Sequence, residues 1–221
     1  MRVKRLLLAS CSVFAVSLAT LADTNCVPPS SGLLSWWRAE GDARDVAGTS
    51  DGVLRNGATF APGLVGQALS LNGTNAYVRL PDNLFPVPPT APAGTPFSFE
   101  TWFKTPSGGV ILGQEVGVPF VDANGWVPGI YVGTDGKLNV EVFWNGAATP
   151  VVSTQSVADN VFHHVAVTYD GAVEQVYLDG KLVNSRAFTR CRTDPPTAIN
   201  WASATLRSGL TAMAAGFRSR A

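Results

Sequence analysis

The sequence predicts an antiparallel all-β domain of two packed sheets, and three observations predict it. Short apolar runs rich in β-branched and aromatic residues recur from Leu33 onward. Asp-Gly at Asp51, Asp135, Asp170 and Asp179, and Asn-Gly at Asn56, Asn72, Asn124 and Asn145, punctuate those runs with pairs that accept the positive φ of tight turns. Before about residue 200 no long window carries helical periodicity.

The 221 residues are 46% hydrophobic, enough for one well-buried core. Sixteen basic residues balance sixteen acidic ones, so no field draws in a polyanion or an anionic membrane, and nucleic acid is not an expected partner.

Residues 1–22, MRVKRLLLASCSVFAVSLATLA, combine Arg2, Lys4 and Arg5 with an apolar run and small residues suited to cleavage at Thr20 and Ala22. That is the pattern of a secretory signal peptide, and it places the protein outside the cytoplasm. A membrane anchor needs about 20 apolar residues, whereas this run is interrupted by Ser10, Ser12, Ser17 and Thr20, so no stable span is expected after cleavage. LASC, ending at Cys11, resembles a lipoprotein box, but too few apolar residues separate it from Arg5. Cleavage would leave Cys26 and Cys191 as the mature thiols, and export permits a disulfide between them. Cys26 lies in a linker, residues 23–32, and Cys191 in an unusual tail, so their pairing stays open. Neither belongs to a CxxC or His/Cys cluster.

Trp36 and Trp37 open the domain in LLSWWR. Neighbouring strand residues point to opposite faces, so one ring enters the core and the other covers the outer face or offers a sugar-stacking platform. In FSFETWFK, Phe97, Phe99, Thr101 and Phe103 share one face, and Ser98, Glu100, Trp102 and Lys104 the other. The proline-rich FPVPPTAPAGTPF, residues 85–97, is a surface loop within the domain. GIYVGTDGKLNVEVFW and EQVYLDGKLV each place a DGK turn between apolar runs, so both are β-hairpins. Trp126 and Trp144 sit near turn signals and are the candidate ligand-stacking residues. His163 and His164 are adjacent, point to opposite faces and cannot chelate one metal from one side; packing or backbone hydrogen bonding is expected of them.

The run LLSWWRAEGDARDVAGTSDGVLRNGATFAPGLVGQALSLNGTNAYVRLPD, followed by FSFETWFK, GKLNVEVFW, FHHVAVTYDG and VYLDGKLV, resembles the laminin G-like, concanavalin A-like domains of secreted bacterial proteins. The resemblance covers residues 33–188. It implies a two-sheet antiparallel jelly-roll sandwich, extracytoplasmic location, calcium binding, and attachment to a glycan or an extracellular protein.

Glucanases on this scaffold carry an E-x-D-x-x-E pattern; Glu40, Asp42 and Asp45 give E-x-D-x-x-D. The altered last position, with Gly41 and Ala43 between, suits a loop better than a strand holding two carboxylates about 5 Å apart. No catalytic residue is assigned. For calcium, a hard cation taking oxygen ligands, Glu40 and Asp45 are the leading ligands, joined by Asp42 and Asp51. The same carboxylates equally suit turns, capping backbone N–H groups.

Residues 189–221 depart from the family. TRCRTDPPTAINWASATLRSGLTAMAAGFRSRA is rich in Arg, Ala and Ser, with little β-alternation. Synonymous codons let the message for residues 198–221 be read in a shifted frame as YQLGVGYTAVWPNGNGGWFPFSG, the turn-and-aromatic sequence such a family supplies there. A frame break close to residue 190 would account for this and would remove the closing strands, exposing a sheet edge. The coding DNA decides it.

The expected function is that of a secreted, noncatalytic binding or adhesion module. A secreted glycoside hydrolase and a structural surface-layer component are the alternatives.

Overall fold

The computed structural model describes residues 31–81, 95–116, 125–141, 149–187 and 215–219, with side chains described except at 114–116, 125–128 and 215–219. Residues 1–30, Cys26, Trp144, Cys191 and residues 82–94 lie outside that set, so the signal peptide, the linker but for residues 31–32, the disulfide and all but residues 95–97 of the proline-rich stretch 85–97 do too.

The described residues form β1 (Leu33–Trp37), β2 (Val53–Arg55), β3 (Thr59–Pro62), β4 (Gln67–Ser70), β5 (Tyr77–Arg79), β6 (Phe97–Phe103), β7 (Gly109–Val116) and β8 (Gly125–Val132). They continue as β9 (Lys137–Val140), β10 (Val151–Ser156), β11 (His163–Tyr169), β12 (Val173–Leu178), β13 (Lys181–Ala187) and β14 (Ala215–Ser219), with no helix among them. One sheet has the order β1-β14-β6-β11-β12-β13 and a second the order β10-β9-β8-β7, with two-stranded ribbons β2-β5 and β3-β4 beside them. Every pairing is antiparallel. The chain is an all-β, two-sheet sandwich, as its sequence predicts.

Alternation explains which side chains fill the interior. Phe97, Phe99 and Phe103 of β6 and Val165, Val167 and Tyr169 of β11 are buried in one cluster with Ile111, Ile130, Val132, Leu138 and Val140 of the other sheet. At about 25 cal/mol per Å² of apolar surface removed from water, this shared core is the main force holding the sheets together. Trp37 belongs to it, with its indole N–H donating to the Ser50 carbonyl at 2.7 Å.

Both DGK hairpins form, β8 with β9 and β12 with β13. Only the second uses the turn in which both central residues have positive φ, 50° at Asp179 and 76° at Gly180. The Asn56-Gly57 turn shares that conformation, with φ 51° and 80°, whereas at Asp170 and Asn72 the side chain makes the turn. Asp170 Oδ1 accepts from Ala172 and Val173 N–H, and Asn72 Oδ1 from Thr74, Asn75 and Ala76 N–H.

The tail corrects one expectation. Its strand β14 pairs with both β1 and β6, so the place where lost closing strands would leave an edge is occupied. A ladder needs only backbone N–H and C=O groups, which every residue of Ala215–Ser219 supplies; weak side-chain alternation does not prevent it.

Candidate functional site

The face of the six-stranded sheet turned away from the core carries an aromatic strip. Trp102 and His164 are cross-strand partners, with ring centroids 4.9 Å apart and planes tilted by 47°. Trp102 remains 39% exposed, enough to leave ring surface for a ligand. One row along, Trp36, Gly216, Glu100, Ala166 and Tyr177 pair successively across five strands. With about 4.8 Å between neighbouring strands, Trp36 and Tyr177 stand ~19 Å apart. Gly216 and Ala166 bring small residues to the row between the rings. Polar groups border the strip: His164 Nε2 lies 3.8 Å from Glu100 Oε2, and the Tyr177 hydroxyl donates to Gln175 Oε1 at 3.4 Å. The Arg38 guanidinium sits 5.7 Å from the Trp36 ring centre, a cation–π distance.

The two tryptophans of LLSWWR thus divide as alternation requires, Trp37 inward and Trp36 outward. Trp126 belongs to β8, opposite Glu115, with its side chain undescribed, and Trp144 is outside the described residues.

The four acids expected to hold calcium do not converge. Asp45 Oδ1 accepts from the N–H groups of Trp36 (2.8 Å), Ala47 (3.0 Å) and Gly48 (2.9 Å), and Oδ2 from Ser50 N–H at 3.0 Å. Asp51 Oδ1 accepts from Asp45 N–H at 2.9 Å. Glu40 Oε2 takes Gln67 N–H at 3.1 Å, and Asp42 accepts Arg44 N–H at 3.1 Å while facing the Arg44 guanidinium at 3.7 Å. Among the described residues no three His, Cys, Asp or Glu side chains are grouped to hold a metal ion. Calcium requires six to eight oxygens turned toward one point; here the oxygens turn toward N–H donors, so the set does not fit the ion. Burial pushes the Asp45 pKa up, but the N–H groups of Trp36, Gly48 and Ser50 and the Ser35 hydroxyl outweigh it and hold the carboxyl below its ordinary value.

A second acidic group was not foreseen from sequence. Arg186 of β13 donates from Nε to Glu174 Oε2 at 2.6 Å and from Nη1 to Glu141 Oε1 at 3.0 Å. Glu174 is fully buried on β12, and Glu141 follows β9 in the other sheet, so the guanidinium ties the two sheets together. Thr149 N–H donates to the Glu141 carboxylate at 3.2 Å. Both acids are occupied by the clamp.

His163 faces inward beside Phe103, and its Nδ1 and Nε2 lie 2.8 Å from Asp179 Oδ2 and 3.2 Å from Asp159 Oδ1. Burial alone lowers its pKa, but the two carboxylates outweigh burial and raise it above the ordinary value. Asp179 also accepts His164 N–H, so a residue expected to serve only the turn fastens both histidines.

Several solved structures share the fold. Domain 4 of an extracellular arabinanase from Geobacillus stearothermophilus, in complex with arabinotriose, is 16% identical, with 86% of this chain and 94% of that chain covered and a TM-score of 0.54. The binding domain of Paraclostridial Mosquitocidal Protein 1 is 15% identical, covering 86% and 49%, with a TM-score of 0.58. Trypanosoma rangeli sialidase in complex with sialic acid is 16% identical, covering 87% and 32%, with a TM-score of 0.57. This chain therefore spans less than half of the latter two proteins. No curated protein matches it in sequence. The family model for the concanavalin A-like lectin/glucanases superfamily matches residues 72–211, from beyond the Glu40–Asp51 acids into the atypical tail, and the chain belongs to that superfamily.

Proposed function

We propose that this chain is a secreted, noncatalytic module that binds glycan on the outward face of its six-stranded sheet. The observation that carries the proposal is Trp102, whose ring packs at a tilt against His164 yet is 39% exposed. A sugar presents C–H groups to such a ring and hydroxyls to its polar borders, here His164, Glu100 and Gln175. The fold relatives lend support, since the arabinanase domain was solved with arabinotriose and the sialidase with sialic acid. Residues 1–22 support export, and the engagement of Glu141 and Glu174 by Arg186 supports a noncatalytic role.

The test is a glycan array probed with the full chain and with Trp102→Ala, run beside an assay for sugar release from the bound polysaccharides. Binding without release, weakened about tenfold or more by the substitution, supports the proposal. Released sugar would establish the hydrolase instead. Attachment to cell surfaces that persists after their glycans are stripped would point to a protein partner.

A further inference from the structure

At the end of β1 the chain closes a tight loop around one side chain. Asp45 is 7% exposed, and four backbone N–H groups at 2.8–3.0 Å point into its carboxylate. A carboxylate offers about four lone-pair positions; three of these donors crowd Oδ1 and the fourth engages Oδ2, so the carboxylate is turned to backbone N–H groups. Their positive ends would repel a cation. Gly48 lets the loop approach this closely: a Cβ there would meet the Leu34 carbonyl and lie 2.8 Å from Asp45 Oδ2.

We infer that Asp45 is a built-in anion that organises the loop from Ala39 to Asp51, and that this rim of the sandwich is held without calcium. The carboxylate does from inside what a bound ion does elsewhere, gathering polar backbone groups that would otherwise be buried without partners. Glu40, Asp42 and Asp51 fasten neighbouring N–H groups and add no ligand. Glycan binding, should it occur, needs no metal at these residues.

The experiment is thermal unfolding of the full chain with excess calcium chloride and with chelator, for the wild type and for Asp45→Asn, Glu40→Gln and Asp42→Asn, beside calorimetric titration of the wild type with calcium. The wild-type Tm should be the same in both buffers, and Asp45→Asn should lower it by roughly 6–12 °C in either. A calcium-dependent rise in wild-type Tm that Glu40→Gln or Asp42→Asn abolishes would overturn the inference. Should Asp45→Asn fail to fold, those two exposed variants and the wild-type titration still decide it. Their failure would leave glycan binding untouched, since that is read on the array.

Discussion

Asp45 and Glu174 are both buried acids, yet the chain stabilises them by opposite means. Asp45 is satisfied locally, by N–H groups no more than nine residues away in sequence, and needs no counter-charge. Glu174 is satisfied by a guanidinium that also reaches Glu141, 45 residues from Arg186. The first arrangement shapes one loop; the second joins two sheets. Removing a partner therefore leaves different debris: unpaired dipoles in one case, uncompensated charge in the other. Buried charge is the more costly to strand.

That difference orders the outcomes of mutation. Arg186→Ala should cost most, about 3–5 kcal/mol in denaturant unfolding, because two buried carboxylates lose their cation at once. Arg186→Lys should fall between it and the wild type, since an ammonium cannot reproduce the fork that reaches both acids. Gly48→Ala comes next at about 1–3 kcal/mol, from the clash of its Cβ with the Leu34 carbonyl and the Asp45 carboxylate.

Titration separates the two sites further. The Asp45 pKa is depressed on folding, so its contribution is present above its unfolded pKa of 3.8 and lost as pH falls through the lower folded value. Asp45→Asn should accordingly flatten the acid limb of a stability-versus-pH curve. His163 behaves in the opposite sense. Its pKa is raised on folding, so its contribution is present below the unfolded 6.5 and lost as pH rises through the folded value. A Tm profile across that window should slope downward in the wild type and level in His163→Gln. Smallest of all, Asp42→Asn should change stability by no more than about 0.5 kcal/mol, because its carboxylate is 54% exposed and its ion pair with Arg44 is solvated.

The same contrast explains what could be read from sequence. Local features were legible. Period-two alternation assigned the two faces of FSFETWFK correctly and required Trp36 and Trp37 to part, and N–H capping by the Glu40–Asp51 acids stood beside calcium as an alternative. The Arg186 clamp was not legible, for a specific reason. Extending the Asp179-Gly180 turn in simple register would place Ser185 opposite Glu174. An irregularity between Val176 and Tyr177 shifts the pairing so that Arg186 faces it. No residue type announces that shift. The outward aromatic strip was also hidden, because it assembles residues from β1, β6, β11 and β12, which only the strand order brings side by side.

Glycan binding at Trp102, as proposed above, is tested by observing each indole N–H separately. Nitrogen-labelled protein would be titrated with arabino-oligosaccharides and with the best binders from the array, and the six tryptophan side-chain resonances followed by NMR. The Trp102 resonance should move with ligand while that of Trp37, buried and donating to the Ser50 carbonyl, stays in place. Movement confined to Trp126 and Trp144, with Trp102 unchanged, would contradict it.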